Sequence, residues 1–193
     1  MSTSSVLVEP PAVLPRQFYG RNTAVVGREL LGMVLRVRDG HVWRSGIIVE
    51  DEAYVSDDPA SHAYHGPNRR NHSMFKEPGT AYVYRIHQAY CVNAVTVEGE
   101  AVLIRSLQPV ENVSLSTIGP GRLCRALGIT KERHDGLSFT GGEVQIVEHD
   151  LGRVEVGMSE RIGISKAKER PLRFFVKNNR FVSRGRSLGR AVG

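Results

Sequence analysis

Alternating apolar and polar positions predict two β-hairpins in the first half of the chain. Residues 33–38 and 41–50 have the two-residue period of strands, and Asp39-Gly40 between them is a turn sequence typical of a hairpin. Residues 80–87 and 88–97 are rich in β-branched and aromatic side chains, which favour strands. The sequence therefore predicts four strands that pair antiparallel in two hairpins.

Two helices and five further strands are predicted around and after these hairpins. One helix is predicted over 22–31, with Asn22 or Thr23 as its N-cap. The other runs from Gly119-Pro120 to Gly128. The strands are predicted at residues 101–109, 143–148, 161–165, 172–177 and 180–183, with Asn178-Asn179 as the last hairpin turn. Because strands and helices do not alternate regularly, the pattern predicts a mainly antiparallel α+β domain.

Length and composition indicate one globular domain: the chain has 193 residues, of which 40% are apolar. We expect a flexible N-terminal tail over 1–15, one domain over 16–185 and a basic C-terminal tail over 186–193. No apolar run approaches the roughly 20 residues that span a bilayer, and the N-terminus lacks a secretory signal. Cys91 and Cys124 are predicted to be buried thiols, with a disulfide as the alternative. We therefore expect a cytoplasmic protein, or a nuclear one in a eukaryote.

Positive charge is concentrated near the C-terminal end of the chain. The formal net charge is +6, but residues 166–193 hold nine Lys or Arg against the single acid Glu169, which gives that segment +8. A basic segment of this kind favours a polyanionic partner, such as nucleic acid or an anionic membrane surface. The alternative is a solvated basic terminus without a partner.

Three acids follow an apolar run that is typical of a buried strand. Ile47–Val49 lead into Glu50, Asp51 and Glu52. Because successive side chains of a strand point to opposite faces, Glu50 and Glu52 share one face and Asp51 points to the other. A carboxylate at such a strand end suits a general base, although an ordinary charged strand end is the alternative. Arg105, on another apolar strand, is expected to pair with a carboxylate, and Glu52 is the candidate.

The polar stretch after this strand contains candidate metal ligands. His62, His65 and His72 lie within eleven residues, close to Asp57 and Asp58. Their spacing matches no standard zinc motif, so we predict no metal site. The acids of this region are also compatible with magnesium binding, and a metal-dependent nuclease stays open as an alternative.

The same stretch and the hairpin after it have features of a nucleic-acid interface. Arg69 and Arg70 lie in a polar loop that is fit for phosphate contacts. Tyr82 and Tyr84 share one face of the next strand, where aromatic rings can stack on bases. A solvated loop and an aromatic core cluster are the alternatives. The residues alone thus indicate a basic α+β domain with a candidate carboxylate site.

Five blocks of sequence give a more specific signal than any single motif. The blocks are VEDEAYVSDDPASH, NRRNHSMFKEPGTAYVYRIHQAYCVNAV, AVLIRSLQPVE, GPGRLCRALGI and RPLRFFVKNNRFVSR. In this order they resemble the alkyladenine (3-methyladenine) DNA glycosylase family over residues 17–185. The resemblance implies a single mixed domain around a curved, mainly antiparallel sheet with flanking helices.

The resemblance also implies an activity. Members of this family flip damaged purine nucleotides out of duplex DNA and hydrolyse their glycosidic bond, which starts base excision repair. The implied substrates are 3-methyladenine, 7-methylguanine, hypoxanthine and ethenoadenine. We expect a monomer that needs no cofactor or metal, contacts no membrane and, without a suitably placed lysine, has no lyase activity.

Individual residues inherit roles from the resemblance. Glu52 corresponds to the general base that activates a water, and Arg105 to the residue that helps to orient that water. Tyr54, His62 and Tyr84 correspond to the aromatic pocket that stacks the flipped base, and His62 also offers a hydrogen bond to the base edge. An aromatic cage favours a cationic alkylated purine through cation–π attraction.

Further residues are implied to select the base and to hold the duplex. Asn93 corresponds to a residue that crowds the exocyclic amino group of normal guanine. His87, at or near the hairpin turn, corresponds to the wedge that fills the gap in the duplex, where some family members have tyrosine. We expect contacts with the DNA backbone from Arg69, Arg70, Arg180 and Arg184. A non-catalytic binder of distorted DNA on the same scaffold is the alternative function.

Overall fold

The computed structural model describes residues 11–152 and 154–183, and its elements confirm the predicted α+β class. Within these ranges the helices are α1 (Arg16–Tyr19), α2 (Thr23–Leu30), α3 (Pro120–Leu127) and α4 (Lys131–His134), with a 3₁₀ helix at His72–Phe75. The strands are β1 (Val34–Asp39), β2 (Val42–Tyr54), β3 (Ala81–Ile86), β4 (Ala89–Val95), β5 (Ala101–Glu111), β6 (Thr140–Gly141), β7 (Val144–Val147), β8 (Val156–Ser159) and β9 (Arg173–Val176).

The described strands form one antiparallel sheet that curls into a half-barrel. The strand order is β3-β4-β5-β2-β1-β7-β6, and the β8–β9 pair joins the sheet through β2. One edge of β2 pairs with β5, while the other pairs first with β1 and then, from Glu50 to Glu52, with β9. Because strands cover both edges there, the acids of β2 lie inside the sheet, and the prediction that they lie at a strand end is wrong.

Both predicted hairpins in the first half of the chain are confirmed. Asp39 pairs with Val42, so Gly40 is a turn residue, and its φ of 62° is one that glycine adopts without strain. The β3–β4 pairing ends at Ile86, directly before His87 at the turn. His87 has a φ of 52°, and this left-handed backbone lies at an exposed hairpin tip.

The two predicted helices are also confirmed, and they cover the apolar core against the sheet. The side chain of Asn22 caps α2 by accepting hydrogen bonds from two backbone N–H groups of the first turn. Helix α3 ends at Gly128, which has the left-handed conformation of a C-cap.

Cys91 and Cys124 are buried free thiols, as predicted. No helix in the described ranges has the length and apolar character needed to cross a bilayer.

Two strands predicted near the C-terminal end are wrong. Residues 161–165 form a loop, because Gly163 has a φ of 81° that interrupts an extended backbone. Residues 180–183 form a turn, because two of their backbone N–H groups bond to Asn179 and not to a neighbouring strand. The strand that pairs with β9 is instead β8, which precedes the loop.

The inner end of the predicted N-terminal tail belongs to the folded body. Val13 forms a bridge with Val147, and the Leu14 N–H donates to the Ile146 carbonyl over 2.9 Å. The flexible tail predicted over 1–15 is therefore too long at its inner end, because these apolar residues extend the edge of β7. Residues 1–10 and the predicted tail over 186–193 lie outside the described residues, so the domain limits stay a prediction.

Candidate active site

A cavity of about 540 Å³ opens beside the β3–β4 hairpin and the loop that follows β8. This volume is typical of sites that bind small organic groups. Five of the side chains predicted to act together contribute to its wall: Tyr54, His62, Tyr84, Asn93 and Arg105. The loop over 162–166 forms another part of the wall.

Glu52 lies directly behind the cavity wall and has no exposed surface. Its Oε1 accepts a hydrogen bond from the Ile162 backbone N–H over 2.7 Å, and its Oε2 accepts one from the Tyr54 hydroxyl over 3.0 Å. Arg105 Nη1 lies 3.2 Å from the same Oε2. Burial raises the pKa of Glu52, and the Arg105 charge and the two hydrogen bonds offset this only in part. Each of the groups that hold the carboxylate lines the cavity.

One guanidinium serves both carboxylates on this face of β2. Arg105 Nε donates to Glu50 over 3.0 Å while its Nη1 faces Glu52, so the predicted shared face and the Arg105–Glu52 contact are confirmed. Glu50 also accepts hydrogen bonds from Arg173 Nε over 2.8 Å and from the N–H and hydroxyl of Ser183 over 2.6 and 2.7 Å. Burial alone would raise the pKa of Glu50, but the Ser183 and Arg173 contacts lower it overall. Glu50 is thus a fixed anion, whereas the surroundings of Glu52 favour uptake of a proton.

Aromatic rings form the side of the cavity next to the hairpin. His62 packs edge-on against Tyr84 with ring centroids 4.5 Å apart, and the centroids of Tyr82 and Tyr84 are 5.6 Å apart. The Tyr82 hydroxyl lies 2.9 Å from His62 Nδ1. Burial lowers the pKa of His62, so the imidazole is neutral at pH 7. Asn93 Nδ2 donates to the Tyr82 carbonyl over 3.0 Å, which fixes the amide in the wall.

A buried ion pair that the sequence did not indicate supports this wall. Arg161 and Asp58 pair through fully buried side chains, and the Arg161 guanidinium lies 4.6 Å from the centre of the Tyr54 ring. Arg161 thereby holds the start of the loop whose Ile162 N–H reaches Glu52. The partners are 103 residues apart, and no spacing pattern signals such a contact.

The acids that suggested a metal site are dispersed in the fold. Asp51 points to the opposite face of β2 and has no hydrogen-bond partner among the described residues. Burial raises its pKa well above the ordinary value, and the two flanking glutamates raise it further. Asp57 and Asp58 are engaged in ion pairs with Arg170 and Arg161. Within the described ranges, no three His, Cys, Asp or Glu side chains are grouped so that they could hold a metal ion.

The residues predicted to contact DNA lie outside the cavity. His87 is at the exposed tip of the β3–β4 hairpin. Arg69 and Arg70 are exposed in the loop before the 3₁₀ helix, and Arg180 is exposed in the turn after β9. Arg184 lies outside the described residues.

The basic segment over 166–193 has fewer unengaged cations than its composition indicates. Arg173 turns inward and bonds to Glu50, so it is not available to a polyanion. Arg170 and Lys177 each pair with a surface acid. The +8 charge of this segment therefore overstates what it can offer to a polyanion, because three of its cations already have carboxylate partners.

Comparison with known proteins finds the same family along most of the chain. A model of the methylpurine-DNA glycosylase (MPG) family matches residues 17–180. A relative from Anaeromyxobacter sp. (strain Fw109-5) is 46% identical over 187 residues, which cover 93% of this chain and 96% of that protein. One from Methanoculleus marisnigri is 42% identical over 191 residues, which cover 89% and 98% of the two chains. The assigned name of both relatives is 3-methyladenine DNA glycosylase.

Proposed function

We propose a substrate range and a mechanism for this chain, which belongs to the methylpurine-DNA glycosylase family and is a DNA glycosylase. It excises alkylated and deaminated purines with a water that Glu52 activates. The observation that carries the proposal is the Glu52 carboxylate, which is buried at the wall of the cavity of about 540 Å³ and has a raised pKa. A general base is most effective when its pKa lies near the working pH. The proposed substrates are 3-methyladenine, 7-methylguanine, hypoxanthine and ethenoadenine.

In this proposal the cavity takes up the purine after its nucleotide has left the helical stack. The base stacks on Tyr54, His62 and Tyr84, and a cationic alkylated purine gains about 0.5–2 kcal/mol from cation–π attraction. Asn93 crowds the exocyclic amino group of normal guanine. A neutral base such as hypoxanthine lacks the cation–π gain and must be protonated at a ring nitrogen before it leaves.

The chemical step is hydrolysis of the N-glycosidic bond. Water attacks the anomeric carbon of the deoxyribose and gives a proton to Glu52, while the purine departs with the bonding electrons and leaves an abasic sugar. Because Glu52 has no exposed surface, water reaches the carboxylate only when one of its contacts opens. The Arg105 Nη1 contact, at 3.2 Å, is longer than the two hydrogen bonds at 2.7 and 3.0 Å, and we expect it to open first. Arg105 then orients the water.

The duplex is held by residues around the cavity. His87 enters the gap that the flipped nucleotide leaves, and Arg69, Arg70, Arg180 and Arg184 contact the phosphates. We propose that a monomer acts on double-stranded DNA. The reaction starts base excision repair in the cytoplasm, together with the DNA, and does not proceed to strand cleavage.

The test is Glu52→Gln, which keeps the shape of the side chain but cannot accept a proton from water. We expect single-turnover excision of hypoxanthine to fall by at least about 100-fold. Binding to the same duplex, measured by fluorescence anisotropy, should survive. Excision by the wild type should persist in excess EDTA.

Asp51→Asn is the matched control, because it makes the same carboxyl-to-amide change one residue away on the opposite face of β2. It should excise at the wild-type rate. Near-normal excision by Glu52→Gln would remove Glu52 from the mechanism, and no release of free base by the wild type would overturn the proposed activity.

A further inference from the structure

Glu50 occupies a place beside the site that the proposed reaction leaves without a role. It has no exposed surface, lies on the same face of β2 as Glu52 and shares Arg105 with it. We propose that Glu50 is a positioning residue: it anchors Arg105 through Nε, so that the guanidinium stays in the cavity wall while its contact with Glu52 opens to admit water. This inference rests on the proposed function.

The geometry of the guanidinium supports this role. Nε and Nη1 donate in different directions from one rigid plane, so Arg105 bridges the two carboxylates and does not clasp either of them with two prongs. Without Glu50, the carboxylate left beside Arg105 is Glu52. A two-pronged Arg–carboxylate pair is the favoured arrangement, and it would occupy the oxygen that the water needs.

Glu50 is itself held rigidly enough to act as an anchor. Arg173 on β9 donates to it from Nε, and Ser183 donates to it from both its N–H and its hydroxyl. The two donors are also joined, because Arg173 Nη2 donates to the Ser183 carbonyl over 2.9 Å. Glu50 therefore cannot follow Arg105 toward Glu52, and the bridge is fixed at this end.

Charge balance gives Glu50 a second effect on the base. The groups around Glu52 are Arg105 from β5, the Cys91 thiol from β4, the Ile162 N–H from the loop after β8, Arg161 behind the Tyr54 ring, and Tyr54, Glu50 and Asp51 from β2 itself. Glu50 and Glu52 together balance Arg105 and Arg173. Loss of the Glu50 charge leaves Glu52 facing an excess of positive charge, which lowers the pKa of Glu52 and makes it a weaker base.

The experiment is Glu50→Gln, assayed by single-turnover excision of hypoxanthine between pH 5 and 9. We expect excision at pH 7 to slow by about tenfold or more. The acidic limb of the rate profile, where Glu52 takes up its proton, should move to lower pH. Asp51→Asn is the matched control and should change neither. A loss of rate with an unmoved limb would indicate a structural defect only and would overturn the inference.

A second readout does not depend on activity. Titration of the Glu52 side-chain carboxyl by ¹³C NMR in the free protein should give a lower pKa in Glu50→Gln than in the wild type, and an unchanged titration overturns the inference. If Glu50→Gln fails to fold, Glu50→Gln/Arg173→Gln removes one charge of each sign and so keeps the charge balance. The loss of the anchor then remains as the cause of a two-pronged Arg105–Glu52 pair, which should still lower the pKa of Glu52, and an unchanged titration again overturns the inference. A wild type that releases no base refutes the proposed function, whereas the titration still decides whether Glu50 controls Glu52.

Discussion

At the scale of single residues, adjacent acids on β2 have opposite protonation states because they face different sides of the sheet. Glu50 faces two guanidiniums, whereas Asp51 is packed below α2. A Cβ placed on Gly27 would lie 3.2 Å from Asp51 Oδ1 and 3.0 Å from the Phe174 ring, so the helix backbone closes this space. With its pKa well above the ordinary value, Asp51 is a neutral acid inside the core.

We expect Asp51→Asn to stabilise the protein, and by more as the pH rises. The unfolded chain releases the Asp51 proton above about pH 4, while the folded protein keeps it because its pKa is raised. Wild-type stability therefore falls between that pH and the folded-state pKa, by up to about 1.4 kcal/mol per pH unit. Asparagine does not titrate, so urea midpoints measured at pH 5 and pH 8 should differ more from the wild type at pH 8.

Asp57→Asn is the comparison for that experiment. Asp57 is exposed and its hydrogen bond to Arg170 lowers its pKa, so it is ionised in both states over the same pH range. Its replacement should leave the slope of stability against pH unchanged. An equal gain from Asp51→Asn at both pH values would show that Asp51 is not protonated in the folded protein.

The sequence could predict which face of the sheet each of these acids points to, but it could not predict that their side chains are buried. Alternation along β2 fixes which side Glu50, Asp51 and Glu52 take, and an arginine on an apolar strand requires a carboxylate. Their burial depends on β9, which pairs with this part of β2 from more than 120 residues away. Arg173 belongs to the basic segment over 166–193, and no local pattern shows that it turns inward toward Glu50.

At the scale of elements, the backbone at the tip of the β3–β4 hairpin determines which substitution can test His87 as the wedge. His87 has a left-handed backbone with a φ of 52°. Alanine in this region costs roughly 1–2 kcal/mol, whereas asparagine adopts it readily. His87→Asn is therefore the variant that removes the ring and keeps the turn.

We expect His87→Asn to slow excision of a well-paired lesion more than that of a poorly paired one. A wedge offsets the few kcal/mol of unstacking and unpairing, and this cost is least where pairing is already weak. The measurement is single-turnover excision of hypoxanthine opposite thymine, in a mismatch and in single-stranded DNA. Gln88→Asn, at the neighbouring turn position, should have no such selectivity. Equal fractional losses on the three substrates would argue against a wedge.

Elements bounded by strong turn residues are the ones that the sequence predicted well. The Asp39-Gly40 hairpin and the helix between Gly119 and Gly128 have the predicted positions. The segment over 161–165 has the alternation of a strand but serves as a loop, in which Gly163 interrupts the extended backbone and Arg161 pairs with Asp58. Tertiary contacts override a local pattern when they bury a charge, and here they also bring the Ile162 N–H to the base.

At the scale of the whole molecule, some of the described cations already have carboxylate partners, whereas others are available to the phosphates of a duplex. Lys177 pairs with Glu155 over 2.5 Å, and Arg170 also has a carboxylate partner. Arg180, on the same segment, is exposed and has no carboxylate partner among residues 11–152 and 154–183. A protein–DNA complex releases counterions only for cations that reach phosphates, so the salt dependence of binding counts these contacts.

We expect Arg180→Gln to reduce the slope of log affinity against log salt by about 0.9, the value for one phosphate contact on B-form DNA. Arg69→Gln and Arg70→Gln should each have the same effect. The reduction should be equal on damaged and undamaged duplexes, because phosphate contacts carry no information about the base. Lys177→Gln, whose charge is already paired with Glu155, is the control and should change the slope less. Binding is measured by anisotropy across a range of salt concentrations, and an unchanged slope in Arg180→Gln would place this residue off the DNA.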